Sequence, residues 1–131
     1  MTKRELEQVY YLSKEVDMWQ KELERIQFRS VVRPPALTGL PGGTMTSDNV
    51  GETASEIADI KAIIRGRILE IEIQRKNIME YILTLEDSFM RQILFKRHVS
   101  LMGWVKIAGE VGGGNTADSV RMAHDRFLRK K

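Results

Sequence analysis

Apolar residues recur along the N-terminal stretch at alternating steps of three and four: Val9, Leu12, Val16, Trp19, Leu23 and Ile26. That is the a/d spacing of a heptad seam, about 3.5 residues per repeat. Eight of the twelve positions between them are Lys, Glu, Gln, Arg or Ser, and neither glycine nor proline intervenes. The spacing predicts one amphipathic helix over residues 3–30. A lone helix with a single apolar stripe must bury that stripe against a partner. A second stripe, Ile57, Ile60, Ile64, Ile71, Ile78, Tyr81 and Leu85, predicts another long helix over 52–85, with Thr53 or Ser55 capping its start. Arg67 and Gln74 interrupt this stripe at seam positions, and such breaks act as register devices or mark exposed ends.

Between the two stripes the pattern stops. The run Val32–Gly43 holds all three prolines, Pro34, Pro35 and Pro41, and Thr44–Gly51 continues with small and polar residues. Proline removes a backbone donor and glycine raises chain entropy, so residues 31–51 read as a flexible linker. The simplest consequence is an antiparallel hairpin of 3–30 against 52–85. A dimer that uses both stripes satisfies the pattern equally well.

The remainder has a shorter rhythm. A helix over 87–100 is opened by Asp87 or Ser88 and turns Phe89, Ile93 and Leu94 inward. After a turn at Leu101–Gly103, residues 104–111 place Trp104, Ile107, Ala108 and Val111 on one face. Gly112–Gly114 then ends the helix, because glycine takes the left-handed conformation that terminates helices. Thr116 caps a last helix, with Asp118 near its positive N-terminus and Val120, Ala123, Phe127 and Leu128 inward. The fold class expected is therefore all-α: a helical hairpin or coiled-coil arm, followed by a helix-turn-helix domain over 86–131.

Composition adds direction. The formal net charge is only +3, but its distribution is uneven. Arg121, Arg126, Arg129, Lys130 and Lys131 face only Asp125 in the last residues, and Arg91, Lys96, Arg97 and Lys106 cluster without an acid among them. Cysteine is absent, which excludes disulfides, thiolate zinc sites and cysteine nucleophiles. No apolar run is long enough to span a bilayer, and the charged N-terminus does not read as a secretory signal. A bacterial cytoplasm, at the nucleoid, is the expected location.

Two helices joined by a glycine turn form the helix-turn-helix arrangement, whose second helix enters the major groove with its first residues at base edges. Here that helix presents Ala117, Asp118, Arg121, Met122 and Asp125 outward. Arg121 suits guanine O6 and N7, a contact worth ~1–3 kcal/mol of discrimination. Arg126, Arg129, Lys130 and Lys131 suit phosphates. A charged outer face is also the ordinary solvated face of a bundle helix, so pattern alone leaves DNA binding about as favoured as that plainer reading.

The run Trp104-Val105-Lys106-Ile107-Ala108-Gly109-Glu110-Val111, followed by Asn115-Thr116-Ala117-Asp118-Ser119-Val120-Arg121-Met122-Ala123-His124-Asp125-Arg126-Phe127-Leu128-Arg129-Lys130, resembles region four of bacterial primary sigma factors. Arg91–His98 resembles the helix that precedes it there. Residues 79–131 as a whole are similar to small phage and prophage regulators of Gram-positive bacteria, the ArpU-like late transcriptional regulators among them. The resemblance implies a recognition helix whose reading positions are Thr116, Ala117, Asp118, Arg121 and Met122. Thr116, Asp118 and Arg121 keep the family's chemistry. Ala117 stands in place of a DNA-contacting arginine and Met122 in place of a glutamine, which implies a different target sequence. Nothing resembles the sigma regions that bind the polymerase clamp and melt the promoter, so a sigma-like regulator is implied rather than a complete sigma factor.

Other residues point elsewhere only weakly. His98 and His124, the only histidines, lack carboxylates at metal-ligand spacing, so no metal site is expected, and His124 is expected at phosphate or solvent. Trp19 and Trp104 read as packing residues. The glycine run lacks the Lys-Ser/Thr of a phosphate-binding loop. No paired-carboxylate or nucleophile constellation appears, so neither an enzyme nor a cofactor is expected. The expectation is a regulator that binds double-stranded DNA and self-associates, or meets RNA polymerase, through its helical arm. The alternatives are a phage small terminase subunit and a protein-interaction module acting on RNA polymerase.

Overall fold

The structure, a computed structural model, describes residues 1–31 and 43–130, with side chains over 1–29 and 52–130. Every regular element among these residues is helical: α1 (Lys3–Leu6), α2 (Gln8–Val31), α3 (Gly43–Leu83), α4 (Ser88–Leu94), a π-helical turn (Phe95–Val99), α5 (Trp104–Val111) and α6 (Ala117–Arg129). The all-α expectation is met. None of the helices described is long and apolar enough to cross a membrane.

Three boundaries differ from the sequence reading. The helix expected over 3–30 is broken at Glu7, which leaves α1 as a single turn of its own. Thr2 closes that turn with a reciprocal capping box: its Oγ1 accepts from the Glu5 amide at 3.2 Å, and Glu5 accepts from the Thr2 amide at 3.2 Å. The helix expected over 52–85 runs instead from Gly43 to Leu83. All three prolines precede Gly43, so none occupies the interior of α3. Thr53 is therefore a buried mid-helix residue and not a cap, and Ser55 likewise lies inside α3. Of the linker read over 31–51, residues 32–42 lie outside those described and 43–51 are helical.

The chain divides into two compact units, and the division runs through α2 and α3. The unit Lys14–Leu69 is the hairpin. Val16, Ile26, Ile60 and Ile64 are its buried apolar residues. Its direction is set by ion pairs: Arg29 meets Glu56 at 2.9 Å and Glu15 meets Arg67 at 3.3 Å, which is antiparallel pairing. Glu15 also accepts from the Trp19 indole at 3.0 Å. Arg67, the polar break in the seam of α3, thus faces a carboxylate of the opposite helix, as a register device should.

The other unit joins Met1–Ser13 to Glu70–Lys131. The boundary drawn from sequence at residue 86 falls inside it. Its core holds Leu6, Val9, Ile78, Ile82, Met90, Ile93, Leu94, Val99, Ile107, Ala108 and Val120, with Trp104, Ala123, Phe127 and Leu128 packed at the edge. Asp87 opens α4 by accepting from the Phe89 amide at 3.0 Å. The π turn that follows closes with Ser100 N–H donating to the Phe95 carbonyl. A π turn takes in an extra residue and rotates the helix face, and here it brings both His98 and Val99 inward.

Candidate nucleic-acid interface

The interface is built from the turn outward. Gly112, Gly113 and Gly114 all have positive φ, at 71°, 65° and 78°. Gly112 pairs its φ with ψ of −150°, a combination essentially confined to glycine. Asn115 fastens the turn: its side-chain amide donates to the Gly112 carbonyl at 2.8 Å, and its Oδ1 accepts from the Ser119 hydroxyl at 3.1 Å. Thr116 and Ser119 close a capping box at the start of α6, at 3.1 and 2.9 Å. Thr116 was legible as a cap. Asn115 and Ser119 were not singled out, although a Thr-x-x-Ser run opening a helix is the available signal.

Along α6 the helical period sorts the candidate residues. Asp118, Arg121, Met122, Asp125 and Arg129 follow one another at steps of three, one, three and four, and so share one side of the helix. All are exposed except Asp125, which is half-buried. Arg121 is flanked by acids on this face, 3.5 Å from Asp118 and 3.9 Å from Asp125. Arg126 and Lys130 are exposed on an adjoining flank, Thr116 is exposed at the cap, and Ala117 is half-buried at the first turn. Lys131 lies outside the described residues. The opposite side of α6 is anchored by Val120, fully buried, and by Ala123 and Phe127, with Leu128 half-buried at the edge between the two sides.

His124 corrects the expectation of a phosphate or solvent contact: it is only 2 % exposed. Its Nε2 lies 2.8 Å from Nε2 of His98, the rings stack, and the Trp104 ring meets His124 edge-on. Its Nδ1 lies 2.9 Å from Asp125 Oδ1. A carboxylate only accepts, so Nδ1 carries the hydrogen and a neutral His124 offers its Nε2 lone pair to His98. A hydrogen on Nε2 of His98 closes the contact, while a hydrogen bond with the Leu6 backbone favours the charged form of His98 and opposes burial. Burial, aided by the neighbouring His124 and Arg97, holds His98 down at about 3. Burial also lowers His124, with Asp125 opposing. The hydrogen bond from His124 holds Asp125 below the usual carboxylate range. The residues are 26 apart, and no periodicity marks them as partners.

The basic cluster upstream is largely spent on the fold. Arg91 donates to the Leu85 carbonyl, Lys96 pairs with Glu110 at 3.0 Å, and Arg97 donates to the Met102 carbonyl while lying 4.3 Å over the Trp104 ring. Lys106 remains exposed. Among the described residues, no group of three or more His, Cys, Asp or Glu side chains is placed to hold a metal ion.

A residue that sequence reading left out completes the surroundings. A groove of about 600 Å³ along the outer face of α6 is lined by Arg121, Met122, Asp125, Leu128 and Arg129, and also by Lys3 of α1. Comparison with known proteins adds nothing to this geometry: no protein-family model, curated protein or solved structure matches the chain.

Proposed function

We propose that the chain is a sequence-specific DNA-binding regulator of phage or prophage transcription, acting by binding and not by catalysis, with α6 lying in the major groove. The observation that supports it most is the pairing of a firmly anchored helix with an exposed polar face behind a glycine turn. Val120 holds the inner side, and Arg121, Met122 and Arg129 are left to solvent. The resemblance of Trp104–Lys130 to sigma region four points the same way. Arg121 is the base-reading residue in this reading; Asp118 and Asp125 beside it suit the cytosine N4 donor. Thr116 and Ala117 enter first, and Arg126, Arg129 and Lys130 meet phosphates.

The test is a gel shift on DNA flanking the gene or a late-operon promoter. Arg121→Ala is expected to relax discrimination by roughly 5- to 150-fold, equivalent to ~1–3 kcal/mol. The pair Arg121→Ala with Arg126→Ala is expected to weaken binding further. Unchanged binding by that double variant would remove α6 as the recognition helix.

Self-association through the arm belongs to the same reading. Met18, Phe28 and Leu69 of the hairpin unit are more than half exposed, and in this reading a second copy covers them. The same observation favours the second reading, a small terminase subunit, which needs a ring of copies. A ring in light scattering would select it, and a monomer or dimer favours the regulator. Tight capture of RNA polymerase without any DNA binding would select an interaction module instead.

A further inference from the structure

The groove along α6 is walled on one side by a residue from the other end of the chain. Lys3 lines it together with Arg121, Met122, Asp125, Leu128 and Arg129. Lys3 also lines an adjoining cavity with Arg97 and Arg121, so four cations, with Arg129, face the two openings against two carboxylates, Glu7 and Asp125. The backbone that carries Lys3 is pinned on both sides. Thr2 and Glu5 cap it, and Leu6 and Val9 bury it, at 0 % and 1 % exposure, in the same core as Val120. Lys3 is itself exposed, and its charge acts on Asp125.

Resting on the DNA-binding reading above, we propose that Lys3 is a built part of the DNA interface: a phosphate contact, supplied by α1, on the backbone flanking the groove that α6 enters. Charge complementarity commits the occupant to a phosphate, because a lysine ammonium is a point charge that carries no sequence information. The core fixes where α1 sits, so the contact is positioned before DNA arrives.

The experiment is fluorescence anisotropy of the full chain on a mixed-sequence duplex about three helical turns long, titrated across salt concentration. Wild type is expected to show log affinity falling steeply with log salt. Lys3→Met is expected to reduce the magnitude of that slope by about 0.9, the value for one phosphate contact. Lys3→Arg, which keeps the charge, is expected to retain the wild-type slope. Lys76→Met, at an exposed lysine that lines neither opening, is expected to leave it unchanged. Thermal melts by circular dichroism report whether each variant is folded, and Lys3→Gln, expected to give the same reduction in slope, supplies the answer should Lys3→Met unfold. Wild type that fails to bind, or binds without salt dependence, overturns the DNA reading itself. Wild type that binds normally while Lys3→Met keeps the full slope, binds more tightly, or matches Lys76→Met overturns the role of Lys3 alone.

Discussion

At the scale of single residues, the Asp125–His124–His98 chain ties the outer face of α6 to the core. It makes the fold sensitive to acid. A histidine unfolded in water titrates near 6.5, while His98 in the fold is held at about 3. Below pH 6.5 the unfolded chain therefore takes up a proton that the folded ring refuses. Stability is complete above that pH and falls as the pH drops, by up to about 1.4 kcal/mol per pH unit until about pH 3. His124 acts in the same direction. Denaturant midpoints at pH 7 and pH 5 should show this loss, and His98→Phe should flatten the dependence although it costs stability at pH 7. Equal pH dependence in the two proteins would show that the pair is not held neutral. None of this was legible beforehand. A cap such as Thr116 acts on its own helix and leaves a local signal, whereas two histidines brought together by a π turn leave none.

At the scale of elements, α5, the glycine turn and α6 were legible almost to the residue, because short-range chemistry decides them: periodicity, a cap, and glycines where φ is positive. The three glycines of the turn are not equivalent to a helical one. Nothing lies within 4 Å of a Cβ added at Gly112, yet its backbone conformation resists any side chain. Gly112→Ala is expected to lower stability by about 1–3 kcal/mol. Gly109→Ala, exposed within α5 and equally unobstructed, is expected to raise it by about 0.5–1 kcal/mol. Chemical denaturation of both variants checks the contrast, and similar shifts would mean that the turn is not held as described. The start of α3 was less legible, since residues 43–51 are small and polar in composition yet helical in structure. Composition marks a segment as weakly helical and does not prevent a long helix from continuing through it.

At the scale of the whole molecule, the all-α class followed from two apolar stripes, which left a hairpin and a dimer equally open, and the Arg67 break found its partner in Glu15. The assignment of the first residues did not follow, because contacts between distant segments leave no periodic trace. The proposed self-association belongs to this scale. A dimer burying Met18, Phe28 and Leu69 should dissociate when Met18→Lys and Phe28→Lys are combined. Each large apolar side chain withdrawn from water is worth about 1.5–3 kcal/mol, so the double variant should weaken association by about two decades or more. Sedimentation velocity measures it, and a wild-type monomer at all concentrations would assign those residues to the ordinary exposed apolar surface.

The seating of Leu6 and Val9 beside Val120 in one core has a consequence for how the protein comes to be folded. The hairpin Lys14–Leu69 closes between neighbours along the chain, and its contacts are available as soon as its second strand of helix has been made. The unit that carries α6 is assembled from segments more than a hundred positions apart. During synthesis, the core that takes Leu6 and Val9 stays incomplete until Val120 of α6 arrives, and contacts of such long range form slowly. The outer face of α6 would then be set last, after the hairpin has closed.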